Sequence, residues 1–344
     1  MAEEVWMLQT KKADFKQIGA RFRIDPVTAR IIRNRGIEGE AAIDRYLNGT
    51  LDDLYDPMLL KDMERAVSIL CEAVDTGKKI RIVGDYDIDG VCSTYILLQA
   101  FERLGSDVDF EIPDRIKDGY GINESIIEQA HADGVEVILT CDNGISAFHQ
   151  VELAKKYGMT VVITDHHEVP LDGEKEKIPP ADAVIDPKQA DCPYPFPEIC
   201  GAVVAYKLVQ VLYTRRGVPQ MEWLDLLEFA AIATVGDVMK LQDENRILVK
   251  YGLKKMAQTK NLGLRRLAEK NNLDLGAITA YHIGFVIGPC LNAGGRLKTA
   301  KEALALLRAQ SEEEAERLAE ELKELNDTRK DMTEQGLSLI HISE

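Results

Sequence analysis

Three aspartates, Asp85, Asp87 and Asp89, stand one residue apart in KKIRIVGDYDIDGVCST, directly behind the apolar run Ile80, Ile82 and Val83. Alternate residues of an extended chain project to one side, so the three carboxylates would leave the same face about 5–7 Å apart and repel one another unless something positive sits among them. The segment is therefore either a solvated turn or a cation holder. Two further β-rich runs end in the same chemistry: VILT leads to Asp142 in CDNG, and VVIT to Asp165, His166 and His167. Asp237 lies in ATVGDV, an otherwise apolar helix end where an unpaired carboxylate is costly. Hard divalent cations such as Mn2+ and Mg2+ take carboxylate and imidazole ligands, and two of them ~3.5–4 Å apart can activate a water and hold the oxygens of a phosphate.

Taken singly, each piece has a plainer reading. DYDIDG begins like a calcium loop, but its twelfth position is Ile96 rather than Glu and a strand precedes it. DNG is an ordinary turn, adjacent histidines can pack as a pair, and Asp237 can cap a helix. Their joint placement after successive strands makes the metal site the stronger reading.

The elements that must position these groups follow from periodicity. Residues 1–74 read as helical, with apolar residues at three- and four-residue spacing and Gly near the ends. From 78 onward KIRIVGD, VDFEIPD, VEVILTCDNG, TVVITDHH and ADAVIDP alternate with helical runs, the signature of a parallel sheet wrapped by helices. Open sheets of this kind gather function at the carboxyl ends of their strands, which turns the scattered acids into one constellation. Beyond about 200 the chain is again mostly helical. It passes a Gly-rich knot at GPCLNAGGRL and a long amphipathic stretch, before a tail, LSLIHISE, that abandons the helical charge pattern. The fold class is thus α/β, with a helical region at 1–74, a catalytic unit at 75–300 and a long helix and tail at 301–344.

Bulk properties set the limits. A chain of 344 residues, 45% hydrophobic and 29% charged, suits two or three globular units. No apolar run approaches the ~20 residues of a bilayer span, and the start lacks a basic segment followed by an apolar one, so the cytoplasm is expected and a membrane is not. Six cysteines without a CxxC pair suit reduced thiols. The net charge of −16 argues against wholesale coating of nucleic acid, though not against a narrow basic path beside an acidic metal site.

GDYDIDGVCST, TCDNGIS, TDHHEVP, ATVGDVMKL and LNAGGRL, in this order, resemble the successive motifs of the DHH phosphoesterase superfamily, and specifically of its RecJ exonucleases. The opening ARFRIDPVTARIIRNRGI and LYDPMLLKDMERAV also resemble the N-terminal region of that family. The resemblance implies two divalent cations, Mn2+ or Mg2+. Asp85 and Asp87 belong to the first, Asp89, His166 and Asp237 to the second, and Asp142 bridges both. It also implies that His167 faces the scissile phosphate, while Asp165 orients the histidines. Asn292 and Arg296 are expected to contact phosphate, since a guanidinium matches phosphate oxygens and Gly294 and Gly295 would let the backbone approach a ligand. The family form carries Ala in place of the first of these glycines and Arg near Cys290. It also continues past the long helix into a DHHA1 and an OB-like domain, so the chain is expected to be a catalytic core with residues 301–335 as connector.

The function so implied is 5′-to-3′ hydrolysis of single-stranded DNA in repair and recombination by a monomer, beside a single-strand-binding protein and a helicase. Two alternatives stand beside it: a phosphodiesterase of the same superfamily acting on short oligonucleotides or cyclic dinucleotides, and a non-catalytic replication scaffold.

Overall fold

A computed structural model of the chain describes residues 11–114, 119, 121–297 and 299–342, apart from the side chains of Arg296 and 336–342. Helices α1 (Phe15–Phe22), α2 (Pro26–Asn34) and α3 (Glu40–Asn48) close around Ile32, Ile37 and Ile43. Asp14 and Asp25 begin the first two by accepting backbone N–H groups that have no partner inside the helix. Helix α4 (Met63–Thr76) ends at Gly77, whose φ of +69° suits a residue without Cβ.

The alternating middle follows as β1 (Ile80–Val83), α5 (Ile88–Arg103), β2 (Val108–Glu111), α6 (Glu124–Ala132), β3 (Val137–Cys141), α7 (Phe148–Lys156) and β4 (Thr160–Thr164). A two-residue ribbon, β5 (Leu171–Asp172) with β6 (Lys175–Glu176), precedes β7 (Ala183–Ile185). The main sheet runs β2-β1-β3-β4-β7 with every pairing parallel. Strand alternation divides the core in two. Ile80, Ile82, Leu139 and Val162 join the larger core with α5, while Val83, Ile138, Val161 and Ile163 join the smaller one with α6 and α7. Because β1 has β2 on one side and β3 on the other, the winding reverses there, and a crevice opens beyond the carboxyl ends.

The remainder is helical: α8 (Gly201–Arg215), α9 (Gln220–Leu224), α10 (Leu227–Gly236), α11 (Asp243–Met256), α12 (Leu262–Lys270), α13 (Ala280–His282), a π-helical turn at Ile283–Ile287, α14 (Gly288–Leu297), α15 (Lys301–Arg308) and α16 (Glu312–Ile342). Apolar helices α8 and α10 pack on α5 and complete the larger core. Two sequence expectations change here. The Gly-rich knot is the regular helix α14, and the tail that drops the charge pattern continues the helical backbone of α16 to Ile342. Among the described residues the six cysteines are unpaired, and no helix is long and apolar enough to cross a membrane.

Candidate metal centre

Strand β1 stops at Val83, so the three aspartates do not continue as an extended chain. Asp85 sits in the turn, and Asp87 caps α5 by accepting from Asp89 N at 2.9 Å and Gly90 N at 3.1 Å. Asp89 lies in the first helical turn. A strand–turn–helix corner thus gathers the carboxylates, and it is tight: a Cβ on Gly90 would stand 2.4 Å from the Asp85 carbonyl oxygen.

Asp142 follows β3 with φ +61°, the left-handed region that side chains other than glycine adopt at a cost. Its neighbour Asn143 ties the loops together, donating to Val83 O at 3.0 Å and Cys141 O at 2.9 Å and accepting from Ile122 N at 3.2 Å. Strand β4 delivers Asp165, His166 and His167. Asp237 caps the C-terminal end of α10, where a negative charge opposes the helix's own free carbonyls. The next residue, Val238, is β-branched yet has φ +58°. Helix α8 aims its N-terminus at the cluster, with Gly201 N and Ala202 N donating to Asp89 at 2.6 and 2.8 Å. Only glycine allows this approach, because a Cβ on Gly201 would lie 2.7 Å from Asp142 Cβ.

The ligand-capable atoms of Asp85, Asp87 and Asp142 fall within 4.8 Å of one another, as do those of Asp89, His166 and Asp237, and those of Asp142, His166 and His167. His166 Nε2 lies 3.0 Å from Asp142 Oδ1, 3.3 Å from Asp89 Oδ2 and 3.9 Å from Asp237 Oδ2. One ring nitrogen cannot satisfy three carboxylates. Burial and then the charge of Asp87 push the Asp85 carboxyl up to about 7, and burial with Asp89 and Asp87 does the same to Asp237. Burial and neighbouring acids also raise Asp87 and Asp142. Among the described residues no lysine or arginine pairs with Asp85, Asp87, Asp89 or Asp237. Five carboxylates outnumber the imidazole groups beside them, and this oxygen-rich donor set with His166 fits hard divalent cations. Cys92, Cys141 and Cys200 lie behind it with thiols pushed up by burial, which keeps them protonated and out of the donor set.

Asp165 accepts from Ile145 N at 2.8 Å, His166 N at 2.7 Å and His167 Nδ1 at 2.7 Å. Burial opposes charge on His167, but its bond to Asp165 outweighs that and raises the imidazolium to about 9. The His167 side chain is 44% exposed and so reaches the crevice.

Asn292 stands on α14 and, with Gly236, Gly284, Gly288, Pro289 and Arg329, lines a cleft of about 180 Å³ beside Asp237. The Arg296 side chain lies outside the described residues. The expected close approach of Gly294 and Gly295 to a ligand is instead an approach to protein: a Cβ on Gly295 would stand 2.3 Å from the Tyr86 carbonyl oxygen, and one on Gly294 2.7 Å from that of Thr299. Sequence reasoning missed Asp186, fully buried after β7, with Oδ2 unpartnered and its carboxyl raised to about 7 by burial and Asp165. It carries the same acid-after-strand signature as the others. The roomier clefts, of about 820 and 880 Å³, lie away from the acids, at Glu228 and between α1 and α2.

The pattern of the DHH family, N-terminal domain, matches residues 79–234. The single-stranded-DNA-specific exonuclease RecJ of Bacillus subtilis is 38% identical over 95% of this chain and 40% of its own length. That of Escherichia coli is 37% identical over 92% and 55%. The chain spans about half the length of the curated relatives it matches. A crystal structure of exonuclease RecJ bound to manganese superposes with a TM-score of 0.73 at 35% identity, covering 81% of this chain and 69% of that one. RecJ from Thermus thermophilus in complex with Mn2+ superposes with a TM-score of 0.78 at 31% identity, covering 94% and 45%. The chain belongs to the DHH family, in its RecJ branch.

Proposed function

We propose that the chain is the catalytic core of a metal-dependent exonuclease that hydrolyses single-stranded DNA from the 5′ end. In this reading residues 75–300 form the DHH catalytic unit, 1–74 a helical prelude and 301–344 a connector. The observation that carries it is the convergence of five carboxylates and His166 from separate strand and helix ends, in a volume where four of those acids meet no lysine or arginine among the described residues. Relatives named for single-strand-specific exonuclease activity, and neighbours solved with Mn2+ or Mg2+, support it.

Asp85 and Asp87 hold one cation, Asp89, His166 and Asp237 the other, and Asp142 serves both. When bound, the two cations neutralise the carboxylates, activate a water and polarise the phosphate. His167 carries a proton at neutral pH because Asp165 holds its Nδ1. In this reading His167 protonates the leaving oxygen. The N–H groups of Gly201 and Ala202 fix both oxygens of Asp89, and Asn292 and Arg296 contact the strand. The enzyme acts as a monomer in the cytoplasm, in repair and recombination, beside a single-strand-binding protein and a helicase.

The test is chelator-stripped protein on a 5′-labelled oligonucleotide. No nucleotide is released until Mn2+ or Mg2+ is restored, and then labelled mononucleotide appears first. Cleavage that persists in chelator refutes the mechanism, and faster turnover of dinucleotides than of long strands transfers the assignment to a small-substrate phosphodiesterase.

A further inference from the structure

Tyr281 and Phe285 are 63% and 68% exposed, and their rings stack with centroids 4.8 Å apart at 27°. A single exposed aromatic is ordinary, but a stacked pair held out to water needs a reason. The backbone presents them deliberately. They stand one turn apart where α13 passes into the π-helical turn, which buries Ile283 and Ile287 and turns Phe285 outward. Inserted turns of this kind frequently mark functional sites. The His282 ring meets Tyr281 edge-on at 5.9 Å and is itself fixed by accepting from Thr279 N at 3.0 Å.

The segment lies against the elements that carry the metal centre. A Cβ on Gly284 would find Val235 Cγ1 at 3.6 Å, two residues before Asp237, and one on Gly288 would find Ile88 Cδ1 at 3.4 Å, between Asp87 and Asp89. Gly284, between the two aromatic residues in sequence, lines the 180 Å³ cleft, so the pair stands on the segment that forms one wall of it. In that cleft Asn292 Oδ1 is buried without a hydrogen-bond partner, and the Arg329 guanidinium donates to Asn326 Oδ1 at 3.1 and 3.2 Å. A flat π surface, a cation and an unused acceptor, all beside a phosphate-cleaving centre, match a nucleotide whose base is free to stack. A base inside a duplex has both faces covered and cannot use them.

Resting on the nuclease reading, we propose that Tyr281 and Phe285 form a stacking platform for an unpaired base next to the scissile phosphate, with Arg329 serving the adjoining phosphate. The platform selects single strands over duplex. Its test uses the full chain with Mn2+, the oligonucleotide (dT)20, and a matching strand carrying 2-aminopurine near the 5′ end. Tyr281→Ala and Phe285→Ala raise KM for (dT)20 on the order of tenfold each, leave kcat within about twofold, and abolish the stacking quench of 2-aminopurine. Phe285→Trp restores both. An unchanged KM and quench in the two alanine variants overturns the platform, including the case in which they alter only the protein's sedimentation and so mark a protein contact. Failure of the wild-type chain to cut any strand with Mn2+ sinks the nuclease reading instead, while the quench still judges the platform in Ca2+, where binding is read without turnover.

Discussion

Buried acids sit in this protein under two opposite conditions. Glu244 and Lys207 are both at most 1% exposed and meet at 3.1 Å, with the Tyr194 hydroxyl donating to Glu244 and the lysine donating to Tyr55 O at 3.1 Å. At the strand ends Asp85, Asp89 and Asp142 are almost as deeply buried, yet they crowd together with Asp87 and Asp237, and Asp85 and Asp89 pair with no lysine or arginine among the described residues. The contrast separates two uses of a buried charge. Where the chain supplies the counter-ion, the acid belongs to the architecture. Where several acids converge and it does not, the fold is built around charge from outside.

The sharpest way to break that contrast is Asp142→Asn. On the proposed function, in which Asp142 serves both cations, it lowers DNA cleavage by about 10³-fold or more, yet it raises the Tm of the metal-free chain by removing an acid from a crowd of acids. A fall in Tm like that of an ordinary core substitution would show the acid to be architectural. Lys207→Met is the counterpart. It strands Glu244 without a partner and destabilises the chain by about 3–5 kcal/mol in urea titration, a loss that Mn2+ does not cure. Mn2+ at about a hundredfold over its Kd then stabilises wild type and Lys207→Met alike by about 2.7 kcal/mol, read as a Tm shift, and stabilises Asp142→Asn far less.

Glu228 sharpens the comparison from between. It is 4% exposed, accepts from the Thr259 hydroxyl at 2.7 Å, and is raised by burial to about 7. A carboxyl whose folded value exceeds its unfolded one keeps its proton longer in the folded state, so this contribution is complete below about pH 4.5 and is lost as pH rises through about 7. Glu228→Gln removes about 2 kcal/mol of stability change between pH 5 and pH 7, measured by denaturant titration at each pH.

Much of the centre was legible because its signal is local. A β-branched run followed at once by an acid names a strand end, and Asp142, Asp165 and Asp186 all carry that mark. Asp85, Asp87 and Asp89 were legible as a group but not as a shape, since nothing local says that α5 begins at Ile88 and folds the row into a corner. What the sequence hides is tertiary. Gly201 reads as one residue of an apolar helix until α8 is seen aimed at Asp89, and Gly295 suggests ligand contact until Tyr86 is found against it. Tyr281 and Phe285 have ordinary helical spacing, and only the π-turn shows that both point outward. Lys207 likewise looks misplaced in an apolar helix until α11 brings Glu244 to it.

Anomalous diffraction from crystals soaked in Mn2+ tests the central claim most directly. Two peaks are predicted, one among Asp85, Asp87 and Asp142 and the other among Asp89, Asp142, His166 and Asp237. An empty strand edge, or manganese bound only elsewhere, would contradict the account.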